Sequence, residues 1–179
     1  MYLKYLWYVT RHRWFVFLEC CKLGIPWLGL IHDWSKFLPS ELIPYARHFY
    51  SGKHDIQRGR DSTGYYKPVD TGDSAFDWGW FLHSKRNRHH WQWWVLPVGK
   101  DGQNKVLEMP VRYRKEMLAD WRGAGRALAT PNTAVWYEKN GPKLALGDHT
   151  RWWIEQALDD WQQLTERIGR TKTELMRET

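Results

Sequence analysis

Apolar residues recur along most of this chain at steps of three and four, the spacing that one face of an α-helix gives. Over residues 3–23 that face carries Tyr5, Val9, His12, Val16, Cys20 and Leu23. Gly24 is expected to end this helix, and Pro26 opens a shorter second helix that ends near His32 and Asp33. The N-terminal part therefore predicts two consecutive helices, with a His-Asp pair where the second one ends.

The rest of the chain predicts four longer helices and one small sheet. The helices are expected from Pro39 onward, over Ser74–Trp91, from Pro110 to about Ala129, and over Asp148–Gly169. Residues 95–108 alternate around Asp101-Gly102, a strong turn signal, which predicts a β-hairpin. Thr-Pro-Asn at 130–132 and Asn-Gly-Pro at 140–142 interrupt the helical pattern and separate a short segment between them. The pattern predicts a mainly α fold with one helical domain over 1–170 and a polar C-terminal tail over 171–179.

The segment from Ser51 to Gly72 is rich in Gly, Asp, Lys and Arg and lacks periodicity, which predicts a long loop. It joins two predicted helices and carries basic and aromatic side chains that suit a phosphate and a base. We hypothesise that it is a substrate lid. A variable surface loop is the alternative.

The composition narrows the class of protein and of partner. Adjacent Cys20 and Cys21 cannot form an ordinary structural disulfide with each other, which favours a reducing, cytoplasmic compartment. No apolar run approaches the ~20 residues of a membrane span, so no membrane partner is expected. The net charge of +7 favours anionic partners, such as a phosphate-containing small molecule or nucleic acid. The fourteen tryptophans are expected to fill a small helical core and to line the walls of a cleft, although stacking on bases is an open alternative.

The segment 30–37 is the most informative stretch, because His32 and Asp33 offer two metal ligands from adjacent positions. His12 lies on an apolar helix face, where a lone histidine is more often part of the core than a ligand. Asp120 lies on another apolar face, and an ionised carboxylate there is costly unless it is paired or metal-bound. A salt bridge to one of three arginines is the alternative, namely Arg112, Arg114 or Arg122. Together these four residues form a mixed nitrogen and oxygen ligand set that suits Mn, Fe, Co, Ni or Zn better than Mg.

Three further histidines follow within eight residues. If this stretch is helical, His83, Asn87 and His90 share one face and His89 points aside. His83 and His90 are expected to complete a second metal position or to contact the substrate. Glu116 lies one turn before Asp120, and like charges at that spacing repel unless a cation lies near them.

The order of these motifs resembles that of the HD-domain metal-dependent phosphohydrolases. A closer resemblance, over roughly residues 5 to 125, is to an uncharacterised family of small bacterial and phage proteins with this layout. It rests on five segments, at Val9–Arg13, Gly24–Trp27, His32–Lys36, Asn87–His90 and Glu108–Tyr113. The resemblance implies an HD-like helical bundle over 1–170, with His12, His32, Asp33 and Asp120 as metal ligands. It implies no substrate.

These observations predict a metal-dependent phosphohydrolase that acts on a nucleotide or another phosphate ester, with one divalent transition-metal ion or two. We expect four residues to serve catalysis, namely Lys36, His83, His90 and Glu116. Five residues are expected to bind substrate, namely Arg13, Lys36, Asn87, His89 and Arg112. The alternatives are a nucleic-acid-binding module without catalysis and an HD-type di-iron oxygenase.

Overall fold

The computed structural model describes residues 1–52, 71–97, 104–130 and 132–160. Its helices are α1 (Tyr2–Lys22), α2 (Pro26–Ile31), α3 (Pro39–Tyr50), α4 (Ser74–Arg86), α5 (Val111–Ala127), α6 (Thr133–Asn140) and α7, described over 148–160. Short 3₁₀ helices cover Trp34–Phe37, Trp91–Trp94 and Gly141–Lys143. Strands β1 (Val95–Pro97) and β2 (Asn104–Val106) pair antiparallel, with Val95 opposite Val106. The predicted mainly α fold with a small hairpin is confirmed.

Helix α1 lies at the centre of the bundle and packs against α2, α3 and α5. Its predicted apolar face is buried, with Tyr5, Val9, Val16 and Cys20 at most 2% exposed. Where α1 crosses α5, a Cβ atom at Gly123 would lie 2.8 Å from the backbone nitrogen of Val16. Only a glycine therefore lets the two helices approach so closely, and this contact brings the faces of His12 and Asp120 together.

The chain turns sharply between α1 and α2 and again after α2. Gly24 has a φ of +73° and Pro26 is the first residue of α2, as the sequence predicts. Asp33 then adopts a φ of 52°, in the left-handed region that aspartate tolerates better than most residues. This conformation separates α2 from the 3₁₀ helix that follows.

Two large apolar cores hold the helices together, and a small cluster of Val16, Cys20 and Ala119 lies where α1 meets α5. One large core combines Tyr5 and Val9 with Tyr45, Ala46 and Phe76 of α3 and α4. The other joins α5, α6 and α7, with five of its fully or nearly buried members at Met109, Met117, Leu118, Tyr137 and Ile154. The site described below lies between α1, α4 and α5, so residues distant in sequence meet there.

Two sequence predictions need correction. Helix α4 ends at Arg86 and not near Trp91, because the Asn87 side chain donates to the His83 carbonyl at 2.9 Å and Asn87 itself is extended. The tryptophans fill the core only in part. Six are 57% to 70% exposed, namely Trp7, Trp14, Trp27, Trp34, Trp78 and Trp152. Six others are partly buried and pack against the cores, namely Trp80, Trp91, Trp94, Trp121, Trp136 and Trp153. The close approaches of α1 at Gly29 and Gly123 leave no room for indole rings between those helices.

Several predictions fall outside the described residues. These are most of the loop proposed as a lid (53–70), the hairpin turn at 98–103, and everything from 161 to the end of the tail. The helices within the described ranges are too short or too polar to span a bilayer.

Candidate metal centre

Side chains from four parts of the chain converge on one buried cluster. Helix α1 supplies His12, the end of α2 supplies His32 and Asp33, and α5 supplies Asp120. Helix α4 and the turn after it add His83, His89 and His90. In each of two groups, the nitrogen and oxygen atoms able to bind a metal lie within 4.8 Å of one another.

The first metal position is the set that the sequence predicts. His12 Nε2 lies 3.6 Å from Asp33 Oδ2 and 3.0 Å from Asp120 Oδ1. His32 Nε2 lies 3.4 Å from each of the same two oxygens. Two imidazole nitrogens and two carboxylate oxygens thus face one space, a set that suits a divalent transition metal.

The second position uses the other oxygen of Asp33. Oδ1 lies 3.4 Å from Nε2 of His83 and 3.4 Å from Nε2 of His89. The Nε2 atoms of His83 and His90 are 2.8 Å apart. A helix that continued through residue 90 would direct His89 aside, as the sequence predicts. That prediction is wrong, because α4 ends at Arg86. The turn after α4 brings His89 into the cluster, where it is 2% exposed.

Asp33 therefore lies between the two positions, with one carboxylate oxygen directed to each. Its left-handed backbone directs the side chain inward at the corner after α2. Asp33 is 1% exposed. A shared carboxylate of this kind allows two ions to be held close together.

Buried carboxylates fix the orientation of three of the rings. Glu116 Oε1 accepts from Nδ1 of His32 at 3.1 Å and from Nδ1 of His89 at 3.2 Å. Glu41 Oε2 accepts from Nδ1 of His83 at 2.9 Å. Because a carboxylate only accepts, each Nδ1 must carry a proton, and Nε2 is left to bind a metal.

The fit to a metal is supported by polar atoms that are buried without a hydrogen bond. Among the described residues these include Nε2 of His12, His32 and His89 and both oxygens of Asp33. Leaving such atoms unpaired costs about 1–3 kcal/mol each. They lie close to other cluster atoms, with His12 Nε2 3.0 Å from Asp120 Oδ1, yet without hydrogen-bond geometry. A cation at the first position would satisfy His12, His32 and Oδ2 of Asp33, and a cation at the second would satisfy His89 and Oδ1 of Asp33.

The charges of the cluster also favour a cation. Burial raises the pKa of Asp33, but the charges of His32 and Lys36 outweigh it and hold that pKa well below its ordinary value. Burial likewise raises the pKa values of Asp120 and Glu116, and the neighbouring histidines bring both below the ordinary values. When the rings are neutral, as metal binding requires, Asp33, Asp120 and Glu116 carry three negative charges against the one positive charge of Lys36, and Glu41 is paired with Arg86.

The pKa values of the histidines in the cluster shift in opposite directions. Burial lowers the pKa of His32, but Asp33 and the other carboxylates outweigh it and raise that pKa well above its ordinary value. Burial, together with the other histidines, keeps the pKa of His90 well below its ordinary value. Without an ion, His32 holds a proton that metal binding would release.

Lys36 lies at the edge of the cluster. Its Nζ is 2.6 Å from Asp33 Oδ2, and its side chain is 14% exposed. Burial lowers the pKa of Lys36, but Asp33 and Asp120 outweigh it and raise that pKa, so the lysine is charged. Asp120, at 17% exposure, and half-buried His90 are the other partly exposed members of the cluster. A substrate can therefore approach the cluster where these side chains meet solvent.

The other residues predicted to bind substrate have different surroundings. Arg13 donates to the backbone carbonyls of His32 and Leu30, each at 2.8 Å, so it supports the corner after α2. Asn87 donates to Ser35 Oγ at 2.8 Å and to the His83 carbonyl. Arg112 is exposed and lies over the Tyr113 ring, 4.8 Å from its centroid. These donors are engaged by the protein or directed to its surface.

Asp120 makes no salt bridge to an arginine among the described residues, because its partners are His12, His32 and His89. Arg114 donates to the Met109 carbonyl, and Arg122 donates to the Ala157 carbonyl. Sequence reasoning missed Glu41, whose position in the first turn of α3 looks like that of an ordinary helix-starting acidic residue. Its complete burial is visible only in the fold.

The fold and site define a mainly helical protein with a candidate two-position metal centre. Residues 1–160 match a family model described as "Family of unknown function (DUF5662)", and the chain belongs to that family. No curated protein matches the chain, and no solved structure does. The resemblance to the HD phosphohydrolases is untested by these comparisons and stays a prediction.

Proposed function

We propose that this protein is a metal-dependent phosphohydrolase of the HD type that acts on a nucleotide or another phosphate ester. The observation that carries the proposal is the set of buried nitrogen and oxygen atoms without hydrogen bonds around Asp33. The motif order that resembles HD proteins supports the same activity. The free thiols of Cys20 and Cys21 suit a reducing cytoplasm as its compartment.

The residues present fit one ion, held by His12, His32, Asp33 and Asp120, or a second held by Asp33, His83, His89 and His90. When bound, such ions lower the pKa of a coordinated water toward ~7 and offset the charge of a phosphate. The inward Nε2 atoms of His83 and His90 favour a ligand role over proton donation to the leaving group. Glu116 holds two rings and need not touch the substrate.

Lys36 is the partly exposed cation of the cluster. Its ammonium would pair with a phosphate oxygen and stabilise negative charge that develops in the transition state. Arg13 acts indirectly in this proposal, because its bonds to the His32 and Leu30 carbonyls hold the corner that carries Asp33.

The test has two readouts, metal content and phosphate release. Purified protein is compared with His32→Ala and with Asp33→Asn, which keeps a residue type that tolerates the positive φ at this position. We expect metal in the parent, little in either variant, and phosphate release from at least one nucleotide or oligonucleotide with Mn, Co, Ni, Mg or Zn. Asp159→Asn, on α7, is the matched control. Equal metal content in all four proteins would refute the metal centre.

A di-iron oxygenase is a second candidate, because three imidazoles and one carboxylate at the second position also suit iron. Iron content, colour and substrate-dependent oxygen consumption, without phosphate release, would favour it. A nucleic-acid-binding module is the third candidate, favoured by the exposed tryptophans and the charge of +7. Binding that falls steeply with salt and persists in Asp33→Asn would favour that function.

A further inference from the structure

We infer that Glu116 is a positioning residue that links the two metal positions, so that removing it weakens ion binding at both. This inference rests on the proposed metal centre. Its basis is a contact pattern that Glu116 alone shows among the described residues: one carboxylate oxygen bonds a histidine of each position.

The geometry is compact and buried. Oε1 of Glu116 lies 3.1 Å from Nδ1 of His32, which serves the first position, and 3.2 Å from Nδ1 of His89, which serves the second. The two ring centroids are 4.3 Å apart. The Glu116 side chain is 7% exposed, and those of His32 and His89 are at most 2% exposed. Little water can therefore replace the carboxylate.

The single oxygen sets the chemistry of both rings. Since it only accepts, both Nδ1 atoms donate to it, and both Nε2 atoms are directed to the metal positions. Each of those Nε2 atoms is buried without a hydrogen bond. A carboxylate partner also makes an imidazole a more basic ligand, and removing such a partner typically costs about 10–100-fold in metal affinity.

Glu41 provides the contrast within the same cluster. It is completely buried and bonds Nδ1 of His83, which belongs to the second position alone. Its remaining contacts are to Ser35 Oγ at 2.9 Å and Arg86 at 2.7 Å, which are not ligand candidates. The structure thus offers two buried glutamates that differ in how many metal positions they support.

The experiment measures ion stoichiometry and affinity, with Co²⁺ and Mn²⁺ as probes, by calorimetry and by the Co²⁺ electronic spectrum. Glu116→Leu removes the acceptor, and Glu116→Gln keeps an Oε1 acceptor at the same place. Glu41→Leu is the matched control. Far-UV circular dichroism of the ion-free proteins establishes that all of them are folded.

We expect Glu116→Leu to bind ions about 10–100-fold more weakly at both positions, and Glu116→Gln to recover most of that loss. Glu41→Leu should lose affinity at the second position only. Two ions bound by Glu116→Leu with the parent's affinity would overturn the inference and leave the metal centre intact. The inference is also overturned if Glu116→Gln binds as weakly as Glu116→Leu. A parent protein that binds no ion would overturn both the metal centre and the inference.

Discussion

The Lys36 ammonium lies 2.6 Å from Oδ2 of Asp33, the carboxylate that both candidate metal positions share. Lys36 is 14% exposed and Asp33 is 1% exposed, so the contact is poorly screened by water. A cation at this place opposes ion binding by Asp33 and at the same time attracts a phosphate. The two effects predict opposite consequences when the charge is removed.

Lys36→Met should lower kcat by about 10²–10³-fold, the loss typical when one group that stabilises an anionic transition state is removed. Metal affinity should be unchanged or higher, because a competing cation next to Asp33 is gone. Phosphate release and metal stoichiometry are measured on the same preparations. Lys139→Met changes an exposed lysine on α6 and serves as the control. Parental turnover by Lys36→Met would remove Lys36 from the mechanism.

Metal loading should stabilise the folded protein. Ion binding relieves the repulsion among Asp33, Asp120 and Glu116 and satisfies their unpaired neighbours. A ligand that binds only the folded state adds about 2.7 kcal/mol at roughly 100 times its Kd. Thermal unfolding with chelator and with excess Mn²⁺ measures this gain. Asp33→Asn should lose most of it, and an equal gain in Asp33→Asn would place the stabilising ion elsewhere.

Gly123→Ala should destabilise the protein by about 1–3 kcal/mol, the usual cost of overpacking a close contact. The added Cβ would lie 2.8 Å from the Val16 backbone nitrogen and force α1 away from α5. Because His12 and Asp120 lie on those two helices, metal affinity should fall as well. Urea unfolding and metal titration test the two effects.

Adding Val16→Ala should not restore stability, because the conflict involves the backbone of α1 as well as the Val16 side chain. Full rescue by Val16→Ala would show that only side chains determine the helix spacing.

Glu108→Ala should lower the free energy of unfolding by about 1 kcal/mol, as loss of a helix cap does. Glu108 Oε1 accepts from the His149 backbone nitrogen, and Oε2 accepts from the Thr150 backbone nitrogen, at the start of α7. A Cβ at Gly147 would lie 2.6 Å from the Glu108 Cδ, so Gly147→Ala should have a similar effect. Urea unfolding at neutral pH compares both variants with the parent.

The Glu108 cap also predicts a pH dependence of stability. Burial raises the pKa of Glu108, but hydrogen bonds from Thr150 and His149 outweigh it and leave that pKa below its ordinary value. A lowered pKa in the folded state means that the stabilisation is complete above the ordinary pKa of glutamate. It is lost as the pH falls through the lowered value. The difference in stability between the parent and Glu108→Ala should therefore shrink in acid, and a constant difference would argue against the cap.

Local patterns predicted most helices because their signals are local. The periodicity of 3–23 and the punctuation by Gly24 and Pro26 correspond to α1 and α2 as observed. The end of α4 was missed because it depends on how the Asn87 side chain bonds, which periodicity does not record. That error left His89 among the predicted substrate-binding residues and not among the metal ligands, since the direction of a side chain follows the backbone that carries it.

The sequence by itself determined the helical class, the small hairpin and the candidate ligands His12, His32, Asp33 and Asp120, whose polar side chains interrupt apolar faces. Only the tertiary structure decided that Asp33 lies between two positions and that Glu116 and Glu41 support the rings around it. It also decided that Arg13 holds a backbone corner. The physical reason is that helical periodicity specifies which face of a helix is buried, whereas the neighbour across that face depends on close approaches such as the one at Gly123.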